Sequence, residues 1–141
     1  MTNDPYTELA TPQPEQPSIL IIEDERFISE LYTRALMHAG YKVVASNDGE
    51  LALREAVNNH YDVILLDIML PTMNGVDLLY KMKDKNVRPP MTSKIIITTN
   101  LDQKEETRTK IESMADGYLI KAEITPKELV AFVNQVIGKQ A

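Results

Sequence analysis

Two acidic stations stand directly behind apolar runs: Ile19-Leu20-Ile21-Ile22 is followed by Glu23-Asp24-Glu25, and Val63-Ile64-Leu65-Leu66 is followed by Asp67. An ionised carboxylate inside an apolar stretch is costly unless it is paired or serves a ligand. Asp67 is the sharper case, because Ile68-Met69-Leu70 continues the apolar run beyond it. Brought together, such carboxylates repel one another. A hard divalent cation removes the repulsion, and an oxygen-only donor set without His or Cys suits Mg²⁺ better than zinc. A carboxylate beside Mg²⁺ is able to attack phosphorus and form an aspartyl phosphate. Phosphoryl transfer then needs cations and donors around the equatorial oxygens. Lys121, behind Tyr118-Leu119-Ile120, offers the charge, and Thr98 or Thr99, behind Ile95-Ile96-Ile97, offers a hydroxyl. Plainer readings stand beside these. Glu25 alone is better read as a helix-capping acid, a strand-end threonine expresses β-propensity, and a lone lysine is a surface residue. Asp24 and Asp67 taken together favour the metal site.

The elements that must position these residues follow from periodicity. From Ser18 onward, short apolar runs alternate with stretches of helical period, the pattern of a parallel sheet covered by helices on both faces. Five strand–helix pairs are expected. The strands are residues 19 to 22, Lys42 to Ser46, Asp62 to Asp67, Lys94 to Thr99 and Tyr118 to Lys121. The first helix carries Phe27, Ile28, Leu31, Ala35 and Leu36 on one stripe before Gly40, and the second carries Leu51, Ala52, Ala56 and Val57 after Asn47-Asp48-Gly49. A loop of Ile68 to Gly75 leads to a third helix with Val76, Leu79 and Met82, ended by Arg88-Pro89-Pro90. The fourth, around Gln103 to Ser113, has only Ile111 with flanking Leu101 and Met114 as an apolar edge, so it is expected to be exposed and comparatively mobile. Thr125-Pro126-Lys127-Glu128 opens the last helix with an N-cap, a first-turn proline and a capping-box glutamate, and Gly138 closes it. The expected fold class is α/β: a five-stranded parallel sheet, doubly wound and flavodoxin-like, (βα)5, with strand order 2-1-3-4-5. Its ligand crevice lies beyond the carboxyl ends of strands one and three, where both acidic stations end.

Composition narrows the rest. The 141 residues include 15 Lys or Arg, 21 Asp or Glu and no Cys, with a formal net charge of −6. Without cysteine there is no disulfide framework, thiolate zinc site, thiol nucleophile or iron–sulfur cluster. The mild acidity and scattered basic residues argue against nucleic-acid binding. No run of eighteen apolar residues and no signal-peptide pattern is present, so a cytoplasmic location is expected. Residues 1 to 17 hold Pro5, Pro12, Pro14 and Pro17 with three acids and no Lys or Arg, and read as a flexible leader to a domain spanning residues 18 to 141.

The ordered series Ile19 to Glu25, Val63 to Pro71 with Gly75, Ile95 to Thr99 and Gly117 to Lys121 resembles the receiver domain of two-component response regulators, and the resemblance spans residues 18 to 138. It implies that Asp67 is the phosphoacceptor and that Asp24 and Asp67 ligate Mg²⁺. Glu23 acts on the metal through water, and the backbone carbonyl of Met69 completes the protein ligands. The family's spacing prefers Thr99 to Thr98 as the hydroxyl, makes Lys121 the phosphate-binding lysine, and makes Tyr118 the switch aromatic that follows Thr99 inward. Implied partners are a histidine kinase or phosphotransfer protein and an unidentified downstream protein. The chain would be a monomer or weak homodimer and not an enzyme beyond acting on its own Asp. Because no output domain follows the fifth helix, output is expected by protein contact through the fourth helix, fifth strand and last helix. Two other readings compete: a receiver-like interaction module that is never phosphorylated, and a Mg²⁺-dependent aspartyl-phosphate phosphatase, which would want an acid where Met69 stands.

Two departures from the family pattern carry expectations. Ala122 replaces the usual proline after Lys121, and since a cis bond to a non-proline residue costs about 2.5–4 kcal/mol, a trans bond and a reshaped loop are expected. Met69 and Leu101, two residues beyond Asp67 and Thr99, cannot position an attacking water through their side chains, so self-dephosphorylation is expected to be slow.

Overall fold

Runs of Val, Ile and Leu lie side by side as five parallel strands: β1 (Ser18–Ile22), β2 (Lys42–Ser46), β3 (Val63–Asp67), β4 (Lys94–Thr99) and β5 (Gly117–Ile120), in the order β2-β1-β3-β4-β5. The computed structural model describes residues 16–71, 73–84, 86, 91–100 and 103–138. β3 is central and buried at every position, which is why its sequence lacks polar alternation. The edge strand β5 is half-buried throughout. Register places Ile22 beside Leu66, Asp67 beside Thr98, and Thr99 beside Ile120, so four strands deliver their last residues to one edge of the sheet.

The helices are α1 (Arg26–His38), α2 (Gly49–Asn58), α3 (Gly75–Met82), α4 (Glu105–Met114) and α5 (Pro126–Ile137). Because successive strand residues point to opposite faces, the core divides into two layers. Ile19, Ile21, Val63, Leu65 and Ile96 pack against Tyr32 and Leu36 of α1 and Leu129 and Val133 of α5. Leu20, Ile22, Ile64, Leu66, Ile95 and Ile97 pack against α2, α3 and Ile111 of α4. The opening of α5 follows its sequence closely. Thr125 Oγ1 accepts from the Glu128 N–H at 3.1 Å and Glu128 Oε1 accepts from the Thr125 N–H at 2.9 Å, while Gly138 ends the helix in the left-handed region at φ 84°.

Several expectations are corrected. Phe27 and Leu51 are not on the buried stripes; they are 74% and 56% exposed. The buried positions of α1 are Tyr32 and Leu36, and Phe27, one residue before Ile28, is turned about 100° away from that row. In α2 the sheet takes Gly49, Ala52 and Ala56, leaving Leu51 on the flank. β3 begins at Val63, one residue after Asp62, whose N–H donates to the Ser18 carbonyl at 2.8 Å, whose carbonyl accepts from the Lys94 N–H at 3.0 Å and whose carboxylate accepts from the Ser18 N–H at 2.8 Å. β1 begins one residue earlier than expected, at Ser18, and β5 at Gly117. β5 ends at Ile120, and Lys121–Glu123 form a 3₁₀ turn where the reshaped loop was expected. α4 starts at Glu105, two residues late, and Ile111 is its buried residue. Residues 1 to 15 of the leader, Arg88-Pro89-Pro90 and Leu101 lie outside the described residues.

Candidate functional site

Because β1 and β3 are hydrogen-bonded neighbours in parallel register, the residues that follow Ile22 meet the last residue of β3. Carboxylate oxygens of Glu23, Asp24 and Asp67 lie within 4.8 Å of one another. Glu23 and Asp67 are buried, whereas Asp24 is exposed. Lys121, the first residue beyond β5, reaches back across β4 into this cluster. Its Nζ stands 2.5 Å from Glu23 Oε1 and 2.9 Å from Asp67 Oδ2, and all three side chains are buried. The remaining oxygens are held by backbone: Asp67 Oδ1 accepts from the Met69 N–H at 2.9 Å, and Glu23 Oε2 accepts from the Glu25 N–H at 3.1 Å.

Burial dominates the electrostatics. It pushes the Glu23 carboxyl from 4.5 up to about 7, with the Asp67 charge adding to the rise and the Lys121 ammonium opposing it. Burial works against the charge of Lys121 as well, but hydrogen bonds to Glu23 and Asp67 outweigh it and raise the pKa of the lysine. With Glu23 ionised, three carboxylates against one ammonium leave the cluster net negative, and a divalent cation would offset that charge. The donors are hard oxygens and Asp24 opens the group to solvent, so the residues fit Mg²⁺ by donor chemistry.

Thr98 and Thr99 are both buried. Thr98 pairs with Asp67 in the sheet, and its carbonyl accepts from the Ile68 N–H at 3.1 Å. Thr99 Oγ1 accepts from Gln103 Nε2 at 3.4 Å. Tyr118, half-buried in β5, receives the Gln103 N–H on its phenol oxygen at 3.1 Å and has the Arg108 guanidinium 4.6 Å from its ring centre. Met69 is 48% exposed and bridges to Asn74 through backbone. The structure thus gathers Glu23, Asp24, Asp67 and Lys121 into one cluster, with Thr99 and Tyr118 joined through Gln103 beside it.

The reading of Glu25 as a helix-capping acid holds for its position but not for its side chain. Glu25 occupies the N-cap position of α1 without a side-chain cap bond. Its Oε1 instead accepts from Asn100 Nδ2 at 3.1 Å, tying the segment after β1 to the segment after β4. Asn100 and Gln103 were not singled out from the sequence. Each is an ordinary polar residue in a connecting segment, and only the path of the chain reveals its contact.

Residues 19–134 match the model of the response regulator receiver domain. The chain is 34% identical over 126 residues to the response regulator ArlR of Staphylococcus epidermidis, a match covering 87% of this chain and 53% of that protein. It is 33% identical over 125 residues to ArlR of Staphylococcus aureus, covering 86% and 53%. The chain therefore spans about half the length of the curated relatives it matches. Among solved structures, the CheY-like response regulator receiver domain protein of Methanospirillum hungatei JF-1 matches with a TM-score of 0.76 at 27% identity, covering 88% of this chain and 95% of that one. The receiver domain of the Francisella response regulator 1452 matches with a TM-score of 0.76 at 28% identity, covering 87% and 98%. With its 2-1-3-4-5 sheet and the acids at the carboxyl ends of β1 and β3, the chain belongs to the response regulator receiver domain family.

Proposed function

We propose that the chain is a phosphoacceptor switch in a two-component phosphorelay, taking a phosphoryl group on Asp67 from a histidine kinase or phosphotransfer protein. The observation that carries this reading is the buried Lys121 ammonium 2.9 Å from Asp67 Oδ2, inside a cluster of three acids whose oxygens lie within 4.8 Å of one another. Asp24 and Asp67 would hold Mg²⁺, with Glu23 acting through water and the Met69 carbonyl completing the set. When bound, the ion neutralises charge on the transferring phosphoryl oxygens.

In the transfer, an Asp67 carboxylate oxygen attacks phosphorus, the bond from phosphorus to the donor's imidazole nitrogen breaks, and the imidazole leaves with that electron pair. Asp67 is held for this by the Met69 N–H and by Lys121. Lys121 then serves a phosphoryl oxygen in place of the bare carboxylate, and the Thr99 hydroxyl donates to another. Output passes by protein contact through the face of α4, β5 and α5, which Thr99 and Tyr118 border, and the protein works in the cytoplasm.

With Mg²⁺ and acetyl phosphate, the protein is expected to gain the mass of one phosphoryl group, and Asp67→Ala is expected to gain none. An adduct that persists in Asp67→Ala, or no adduct in the unaltered protein, overturns the reading. The phosphoryl group is also expected to be long-lived, since the thioether of Met69 cannot hydrogen-bond an attacking water. Met69→Asn supplies an amide there and should speed the loss of phosphate by about tenfold, followed after removal of acetyl phosphate.

A further inference from the structure

Gln103, in the segment between β4 and α4, touches both groups that the proposed switch moves. Its Nε2 donates to Thr99 Oγ1 at 3.4 Å, and its backbone N–H donates to the Tyr118 phenol oxygen at 3.1 Å. We infer that Gln103 is a positioning residue for the phosphoryl group: it orients the Thr99 hydroxyl and ties the displacement of that hydroxyl to the Tyr118 ring. The inference rests on the phosphoacceptor reading of Asp67.

The chemistry of a hydroxyl gives the orientation. It has one proton to donate and two lone pairs to accept with. A donor seated on a lone pair of Thr99 Oγ1 turns the proton away from Gln103 and toward acceptors elsewhere, of which a phosphoryl oxygen on Asp67 is the strongest. Sheet register supplies the proximity, since Thr99 directly follows the β4 partner of Asp67. The coupling follows from one residue holding both groups, one by its side chain and one by its main chain. When Thr99 is drawn to the phosphoryl group, Gln103 is drawn with it, and the N–H on the Tyr118 oxygen moves. Little packing resists this. α4 begins two residues later at Glu105, and Ile111 is its one buried residue among those described. Arg108 of α4 lies over the Tyr118 ring, so the helix and the ring are engaged together.

Gln103→Met keeps the length of the side chain and the backbone N–H but removes the amide donor. With acetyl phosphate and Mg²⁺, this variant is expected to be phosphorylated on Asp67 at a rate roughly threefold to tenfold lower, the effect of one lost hydrogen bond. In a Thr99→Val background the same substitution is expected to change nothing further, because its effect runs through the hydroxyl. The Tyr118 ring resonances should shift when beryllofluoride and Mg²⁺ bind, and that shift should fall by about half or more in Gln103→Met. An additive rate loss in the Thr99→Val background, or an unchanged Tyr118 shift in Gln103→Met, overturns the inference while leaving phosphorylation of Asp67 intact. Absence of any adduct in the unaltered protein overturns the phosphoacceptor reading, and this inference with it.

Discussion

Lys121→Met is expected to cost the metal-free protein about 3–5 kcal/mol of stability near neutral pH, because it leaves buried carboxylates without their counter-charge. Glu23 and Asp67 are 2% and 1% exposed, and the Lys121 ammonium is the cation that touches both. The loss carries a pH signature whose sign follows from Glu23. In the folded protein burial already holds that carboxyl at about 7 against an ordinary 4.5, with the lysine pulling it down. Removing the lysine pushes it higher still. The folded state then keeps a proton that the unfolded chain releases, so stability falls as pH rises above about 4.5, and in the variant it continues to fall beyond the point near 7 where the unaltered protein levels off. The deficit of the variant is therefore smallest in mild acid, where protonated Glu23 relieves the repulsion, and grows toward mild alkali. Added Mg²⁺ should recover part of it. Urea denaturation across that pH range, with and without Mg²⁺, measures the effect. A deficit that is flat with pH would show that Lys121 acts by packing its methylenes and not by its charge.

Gly75→Ala is expected to cost about 3 kcal/mol or more, because the added methyl meets backbone that cannot move aside. A Cβ at this position would stand 2.2 Å from Ile68 Cα and 2.8 Å from both Ile68 C and Ile68 O. The close approach is built in, since the Gly75 N–H donates to the Ile68 carbonyl at 3.0 Å and closes the loop that leaves β3. Relief requires displacing Ile68, the residue next to Asp67. The variant should therefore lose Mg²⁺ affinity as well as stability, which a metal titration of whatever fraction folds would read. Gly138→Ala gives the contrast. Its φ of 84° strains any L side chain but nothing lies within 4 Å of the added carbon, so its cost should stay near 1–2 kcal/mol and Mg²⁺ binding should be untouched. Equal losses at the two positions would mean that the contact with Ile68 is not what makes Gly75 necessary.

The sheet and the acids were legible for one physical reason. A strand buried on both faces has to be a continuous apolar run, and a charge at the end of such a run has few structural excuses, so Val63 to Asp67 announced both the central strand and the centre of the site. Helix faces were less legible. The neighbours Phe27 and Ile28 are equally apolar, and only the seating of α1 on the sheet decides that Tyr32 and Leu36 go inward while Phe27 faces water. The choice between Thr98 and Thr99 is a single residue wide; both are buried, and what distinguishes Thr99 is a bond from Gln103 that no local pattern encodes. The Glu25 to Asn100 bond spans 75 residues. Contacts of that kind depend on how two connecting segments run past each other, which neither propensity nor periodicity contains.

The ammonium that balances the pocket is also the last of its parts to be made. During synthesis Glu23 and Asp24 emerge first and Asp67 follows, but Lys121 lies 54 residues beyond Asp67. Contacts of such separation close late, since the intervening chain must be ordered before they form. A nascent or truncated chain that stops short of β5 carries Asp67 among like charges, with the Met69 N–H but no ammonium to hold it. Charge balance in the pocket therefore waits on the docking of β5 against β4, because only then does Lys121 stand beside Glu23 and Asp67.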